Sequence, residues 1–511
     1  MNSTKRLSIN LIANIVSYST SIIIAFLLTP YLIRILGKEA YSFYPMANNF
    51  VQYMGIITTA LNSMASRFIT IEITKNNTEK ANVYFSSVFY SNVILSIVLF
   101  IPMLLIVVFL DKIINIPMDL VFSIQLLFTF VFLSMLVNLI TSVFGVAVFA
   151  KNRIDLRSIG DILHSLLKVI LYIVFFFFFH PSIIYVGVVA FILSIVYFII
   201  HSIYTRKLLP EMKISFAYFD YKSIKEMLIS GIWNSVNQIG SILLFSLAIL
   251  YCNILIGPSA AGEYSIIQTV PNFVNGIISM LAAVFQPILT QTYAVGTIED
   301  LVREAKRSQK IMGMITNIPI AVFMAVGYEF YMLWVPGENA FRLHILSILT
   351  ITHLLLIGVT WTINNLNTVI NKVRVPALYM ILSGIMNFFV VLILTKTTNL
   401  GVYCIPLSSI FILLIWAGVF IPIYPCIELK LKWHTFYSAI IKTIISSIII
   451  IVFSVGIKSL IVINSWPKMF LVCFICGLFG LLVNSFVVLD KNDRKGIFTY
   501  FKLVLKRIGV I

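Results

Sequence analysis

The stretch ILGKEAYSFYPMANNF at positions 35–50 is echoed by LIGPSAAGEYSIIQTV at 255–270. Gly37 aligns with Gly257, Ala40 with Ala260 and Tyr44 with Tyr264, each pair 220 residues apart. The echo extends outward. Upstream, Asn10, Asn14, Ser17 and Ser21 follow at +4, +3 and +4, the spacing of one helix face, and their counterparts 220 residues on are Ser230, Asn234, Asn237 and Ser241. Downstream, the stripe Asn48, Gln52, Gly55, Thr59, Asn62, Ser66 returns as Gln268, Asn272, Asn275, Ser279, Ala282, Gln286, with one polar position lost. Further on, Lys151 and Arg153 in AKNR have counterparts Lys372 and Arg374 in NKVR, at an offset of 221.

The background to this repeat is apolar. Of 511 residues, 60% are hydrophobic and 11% charged, with a mean hydropathy of +1.03. Soluble domains are roughly 45–50% apolar and about 25% charged, so the chain reads as a polytopic membrane protein. Apolar runs long enough to cross a bilayer as helices recur about fourteen times, from 9–33 and 41–65 at one end to 436–462 and 467–489 at the other. Barrel strands would give short alternating segments, so the expected fold class is an all-α polytopic membrane protein. The uncharged run from Leu7 to Ile33 is too long for a signal-peptide core and reads as a retained first span. The five cysteines lie in or at the ends of spans. Cys473 and Cys476 form C-x-x-C in an apolar helix without a nearby histidine or acid, which fits packing rather than metal or redox chemistry.

The formal net charge of +17 is distributed by membrane side. With a cytoplasmic N-terminus, the inside segments hold 28 Lys/Arg, the outside loops 7, and Lys168 alone lies within a span. That bias follows the positive-inside rule and puts both termini in the cytoplasm. The basic clusters, such as Arg303, Lys306, Arg307 and Lys310, suit anionic lipid headgroups, and no nucleic-acid partner is needed. The connections are short, which leaves no soluble catalytic domain. Walker A, G-x-G-x-x-G, H-E-x-x-H and paired-cysteine metal patterns are missing from the sequence, so neither an enzymatic centre nor a cofactor is expected.

Six spans separate the two copies, so the halves run parallel. The expected organisation is an N-lobe of spans 1–6 (1–205), a cytoplasmic inter-lobe linker (206–225) and a C-lobe of spans 7–12 (226–425). Spans 13–14 (426–489) and a basic cytoplasmic tail (490–511) follow. Polar side chains avoid lipid, and the matched stripes therefore mark a cavity lining: Asn14, Asn48, Gln52, Asn62, Asn234, Asn237, Gln268, Asn272 and Asn275. The competing use of the same residues is to glue helices together. In span 5, Asp161, His164 and Lys168 share a face at +3 and +4, with Lys168 about ten residues in, roughly 15 Å deep at the helical rise. An intramembrane cation is an anchor for an anionic substrate; Lys168 could instead reach back to the cytoplasm, and Asp161 could pair with His164 near the interface. Arg67 extends the second stripe to the inner mouth, where it would meet a phosphate or serve as a headgroup anchor. Arg34 and Glu329 lie near the outer face as a candidate gate.

The hairpin LTPYLIRILGKEAYSFYPMANNF resembles the start of polysaccharide flippases of the Wzx type, in the polysaccharide transporter family of the multidrug/oligosaccharidyl-lipid/polysaccharide exporter superfamily. Pro30, Arg34, Leu36, Gly37, Tyr41 and Tyr44 carry the likeness, Ser42 replaces the usual glycine, and the second copy keeps Gly257, Gly262 and Tyr264. The resemblance implies a carrier that moves an undecaprenyl-pyrophosphate-linked oligosaccharide from the inner to the outer leaflet of a bacterial plasma membrane. The product would be O-antigen, capsule or another exopolysaccharide, and polymerase and chain-length proteins of the same pathway would be further partners. It casts Lys168, with His164, Asp161 and Arg67, as the charge that meets the pyrophosphate. A multidrug exporter of the same superfamily usually carries a membrane-embedded acid in its N-lobe, and spans 1 and 2 have none. A polysaccharide polymerase or ligase would need a substantial outer loop, which is missing from the sequence.

Overall fold

Gly37 and Gly257 sit at φ +81° and +137°, a region that side chains with a Cβ rarely enter, and each turns one long helix into the next. The opening echo of the sequence is thus a repeated interhelical turn. The computed structural model describes residues 3–490 and 494, the side chains of residues 3–8 and 11 excepted. The expected basic tail at 490–511 lies outside the described residues apart from Asp490 and Arg494.

Fourteen long helical elements make up the described chain. They are α1 (Ser3–Leu36), α2 (Lys38–Thr74), α3 (Thr78–Val108), α4 (Met118–Ala150), α5 (Ile154–Phe178), α6 (Ile184–Leu208) and α7, which runs as Tyr221–Ser246 and then Ala248–Leu255. After them come α8 (Pro258–Val295), α9 (Ile298–Trp334), α10 (Ala340–Val369), α11 (Arg374–Thr397), α12 (Gly401–Glu428), α13 (Tyr437–Leu460) and α14 (Trp466–Val487). The described residues form no strand. The fold is all-α, and thirteen of the helices are long and apolar enough to cross a membrane. The exception is α2, diluted by Asn48, Asn49, Gln52 and Asn62. It packs against α1, α3, α4 and α7.

Local chemistry sets the helix ends. Asn77, Asp220 and Asn339 cap α3, α7 and α10 through side-chain oxygens, and Thr297 with Asp300 forms a capping box on α9. At the ends of α4 and α10, Asn152 and Asn371 take φ +51° and +58°. The next residue's amide then reaches back to the helix, Arg153 to the Val148 carbonyl at 2.8 Å and Lys372 to that of Asn367 at 2.7 Å. These equivalent turns are 219 residues apart, so structurally Arg153 answers Lys372. The 221 offset read from AKNR and NKVR is off by two.

The chain divides into two compact units. The first runs to Ser265 and adds Ala377–Phe388; the second comprises Ile266–Pro376 and the chain from Phe389 on. In the first unit, α7 lies on α2 so closely that a Cβ at Gly231 would fall 2.0 Å from the Ala60 carbonyl oxygen. The α6–α7 connection is strapped to α3 rather than loose. Asn82 donates to the Glu211 carbonyl and accepts from the Lys213 amide, Ser86 donates to the Lys213 carbonyl, and Ser87 accepts from the Asp220 amide. Hydrogen bonds from Ser223 hold the Asp220 carboxyl below its ordinary range. At the other end of α7, Asn115 and the buried Asn253 exchange three hydrogen bonds of 2.7–3.0 Å.

In the second unit, α9 is the hub against which α10, α13 and α14 pack. Its apolar core joins Ala321, Val322, Ala325 and Val326 of α9 to Ile450 of α13 and Met469, Val472 and Cys476 of α14. Three polar ties reinforce it. Asn317 and Asn484, both fully buried, donate to each other's amide oxygens at 3.1 and 2.8 Å. Lys458 meets Glu329 at 2.9 Å and donates to the Ala325 carbonyl. Asp490 accepts from both Lys310 and Lys442. Within the second unit, the α13 lysine is thus a partner of Glu329.

Candidate substrate cavity

The first unit holds an open cavity of about 660 Å³, within the range of small-molecule sites. Five helices place polar side chains into it: Asn14, Ser17, Tyr18 and Ser21 from α1, Ser66 from α2, Asn138, Thr141 and Ser142 from α4, Arg157, Asp161, His164 and Ser165 from α5, and Ser194, Tyr197 and His201 from α6. Packing of α5 against α1 and α6 brings these faces together. In lipid such faces must turn inward, because hydrocarbon offers no hydrogen-bond partners.

The α5–α6 wall is the most structured part. Tyr197 donates to Asp161 Oδ1 at 3.0 Å, while Arg157 approaches the other carboxyl oxygen only to 3.9 Å. The rings of Tyr197 and His201 lie 4.2 Å apart between centroids, and His164 meets Tyr197 edge-on at 5.9 Å. His201 is 4% exposed, and neither ring nitrogen has a hydrogen-bond partner among the described residues. Its Nδ1 lies on the Gly145 side of the cavity, 3.9 Å from where a Cβ there would stand. Where α1 meets this wall, the Ser21 and Ser165 hydroxyls are 3.2 Å apart.

The residues expected to line a cavity divide between two uses. Asn14 does line this one. Asn62 instead shares hydrogen bonds with Asn92 and Ser142, tying α2 to α3 and α4. Gln52 accepts from Ser246, and Asn234 donates to Ser63 at 2.9 Å, so these two fasten α7 to α2. Asn48 donates to the Tyr44 carbonyl of its own helix. Asn237 is exposed in the first unit; in the second, Asn272 and Asn275 are exposed and Gln268 is half-buried.

Of the expected charge set, Asp161 and His164 line the cavity, whereas Arg67 is exposed outside its lining. Lys168 lies two turns beyond Asp161, with its amine 5.7 Å from the Tyr44 ring and 5.8 Å from that of Tyr172, a cation–π setting. Sequence reasoning did not single out Tyr197, His201, Arg157 or Tyr18. His201 carried a usable signal, being an ionisable residue inside an apolar run. The pairing of Tyr197 with Asp161 had none, because it depends on how α6 is rotated against α5. Among the described residues, no cluster of His, Cys, Asp or Glu could hold a metal ion.

Comparison with known proteins gives the setting. A family of polysaccharide biosynthesis proteins matches residues 7–293. The chain is 26% identical to the Bacillus subtilis (strain 168) membrane protein named EpsK, over 98% of both chains. A multidrug resistance MATE family transporter of the MOP superfamily, inward-facing, aligns with a TM-score of 0.67 at 16% identity, over 84% of this chain and 98% of the transporter. The lipid II flippase MurJ, in an inward closed conformation, gives 0.64 at 14% identity, over 93% and 97%. A MOP superfamily transporter from Pyrococcus furiosus gives 0.63 at 14%, over 83% and 95%. At these identities the likeness is one of fold.

Proposed function

This chain belongs to the polysaccharide biosynthesis protein family, and from that premise we propose that it is a flippase. It carries an undecaprenyl-pyrophosphate-linked oligosaccharide repeat unit from the inner to the outer leaflet of the bacterial plasma membrane by alternating access, supplying O-antigen, capsule or exopolysaccharide assembly. Both termini lie in the cytoplasm, where the basic clusters rest on anionic headgroups. The observation that carries the reading is the polar cavity in the first unit, lined by hydroxyl, amide, phenol and imidazole groups within helices that are otherwise apolar. Those groups match sugar hydroxyls, which both donate and accept. Lys168, close to the cavity and without a carboxylate beside its amine among the described contacts, supplies the charge for a pyrophosphate. Within the first unit, Asn14 and the hydroxyls of α1 and α4 that share its cavity form the polar surface along which the saccharide is held.

A cation-coupled multidrug exporter is the second reading, favoured by the Asp161 carboxyl inside the cavity and by the MATE likeness of the fold. Deletion of the gene separates the two. A flippase predicts lipid-linked saccharide accumulating on the cytoplasmic leaflet, detected with an impermeant probe. Wild type should cure this, whereas Lys168→Gln, present at normal level in the membrane, should not. Normal outer-leaflet saccharide with altered sensitivity to cationic drugs would support the exporter instead.

A further inference from the structure

We propose that the α5–α6 wall of the cavity is a glycosyl subsite that accepts a neutral or amino sugar and rejects a carboxylate-bearing one. This inference deepens the flippase reading and rests on it. A pyranose presents hydroxyls that donate and accept along its edge, with apolar C–H faces above and below. A matching site therefore needs an acceptor, a group able to do both, and an aromatic surface.

The wall holds all three. Asp161 keeps one carboxyl oxygen beyond hydrogen-bond reach of Arg157, at 3.9 Å, after taking the Tyr197 hydroxyl on the other. His201 is buried with two unpartnered ring nitrogens and lines the cavity. A neutral imidazole offers one donor and one acceptor, and leaving both unmatched is a deficit that a hydroxylated ligand removes. The Tyr197 ring, between His164 and His201, supplies the flat surface.

Charge gives the selectivity. Asp161 is the acid in the lining, and the lone guanidinium facing it belongs to Arg157, whose side chain is 65% exposed. Lys168 on the same helix is turned to Tyr44 and Tyr172 instead. A sugar carboxylate entering beside Asp161 would meet like charge at short range, which the low dielectric strengthens. An ammonium or neutral acetamido group would not.

The test uses the full chain in nanodiscs carrying Asn14→Cys as a reporter at the cavity; the native cysteines are buried or half-buried. Labelling by a positively charged methanethiosulfonate is timed with glucosamine, N-acetylglucosamine or glucuronate present. Glucosamine and N-acetylglucosamine should slow labelling about threefold at twice their dissociation constants, and glucuronate should not. Adding Asp161→Asn should let glucuronate protect as well, and adding His201→Leu should abolish protection by all three. The proposal is overturned by a reporter thiol that the reagent never reaches, by equal protection from glucuronate, or by unchanged protection in His201→Leu. If sugars fail to protect while the unmodified chain still cures the leaflet defect of the deletion strain, the subsite is wrong and the flippase stands. If the leaflet defect is missing, the flippase reading falls with it.

Discussion

Tyr197 on α6 donates to Asp161 on α5 at 3.0 Å, and this bond fixes the carboxyl in the wall of the cavity. Without the phenol hydroxyl, Asp161 is free to turn toward Arg157, already at 3.9 Å. A hydrogen bond to a charged group contributes about 1.5–3 kcal/mol. Tyr197→Phe should therefore lower transport by about tenfold or more with the protein still present in the membrane. The leaflet assay in the deletion strain, normalised to protein level, reads it. Wild-type transport would show that the bond is incidental.

The contact of α7 with α2 is a close backbone approach: a Cβ at Gly231 would fall 2.0 Å from the Ala60 carbonyl oxygen and 3.0 Å from its Cα. Backbone cannot yield as a flexible side chain does. Overpacking of this kind costs about 1–3 kcal/mol, so Gly231→Ala should lower the midpoint of thermal unfolding in detergent by several degrees. The exposed neighbour Ile232→Ala, which leaves the approach intact, should shift it little.

Asn317 and Asn484 satisfy each other in the interior of the second unit, and Asn484 also donates to the Met314 carbonyl at 2.8 Å. Asn484→Leu strands Asn317 and the buried Ser446 hydroxyl, which donates to Asn484, at about 1–3 kcal/mol for a buried unsatisfied group. Asn317→Leu together with Asn484→Leu removes both amides and should recover part of the loss. A double-mutant cycle on thermal stability checks it, and additive losses would contradict the coupling.

Asp490, just past the end of α14, is bonded by Lys310 and Lys442, and those hydrogen bonds pull its pKa from the ordinary 3.8 down to about 2. A depressed carboxyl contributes stability that is fully present above the unfolded value and is lost as pH falls from about 3.8 toward 2. The side chain is 53% exposed, so solvent screening leaves about 0.5 kcal/mol. Asp490→Asn should cost that much at pH 7 and flatten the stability profile between pH 4 and 2. Thermal unfolding across that range measures it.

The sequence alone determined the fold class, because apolar runs of bilayer length leave an α-helix as the economical way to satisfy every backbone group. It also determined the repeat. Gly37 and Gly257 recur because a turn at positive φ admits little else, so a conformational demand leaves its trace in residue identity. That Asp161 and His164 share a helix face was legible from their spacing, and both line the cavity.

Tertiary structure decided which polar residues face a cavity and which serve as glue. Asn14 and Asn62 look alike along the chain. One lines open space, while the other is consumed by Asn92 and Ser142. The difference lies in what the neighbouring helix presents, and helix rotation in a bundle is set by packing of side chains far apart in sequence. The same holds for Tyr197 and His201, which join Asp161 only because α6 turns that face to α5. Periodicity names the face of a helix; only its partner says what the face is for.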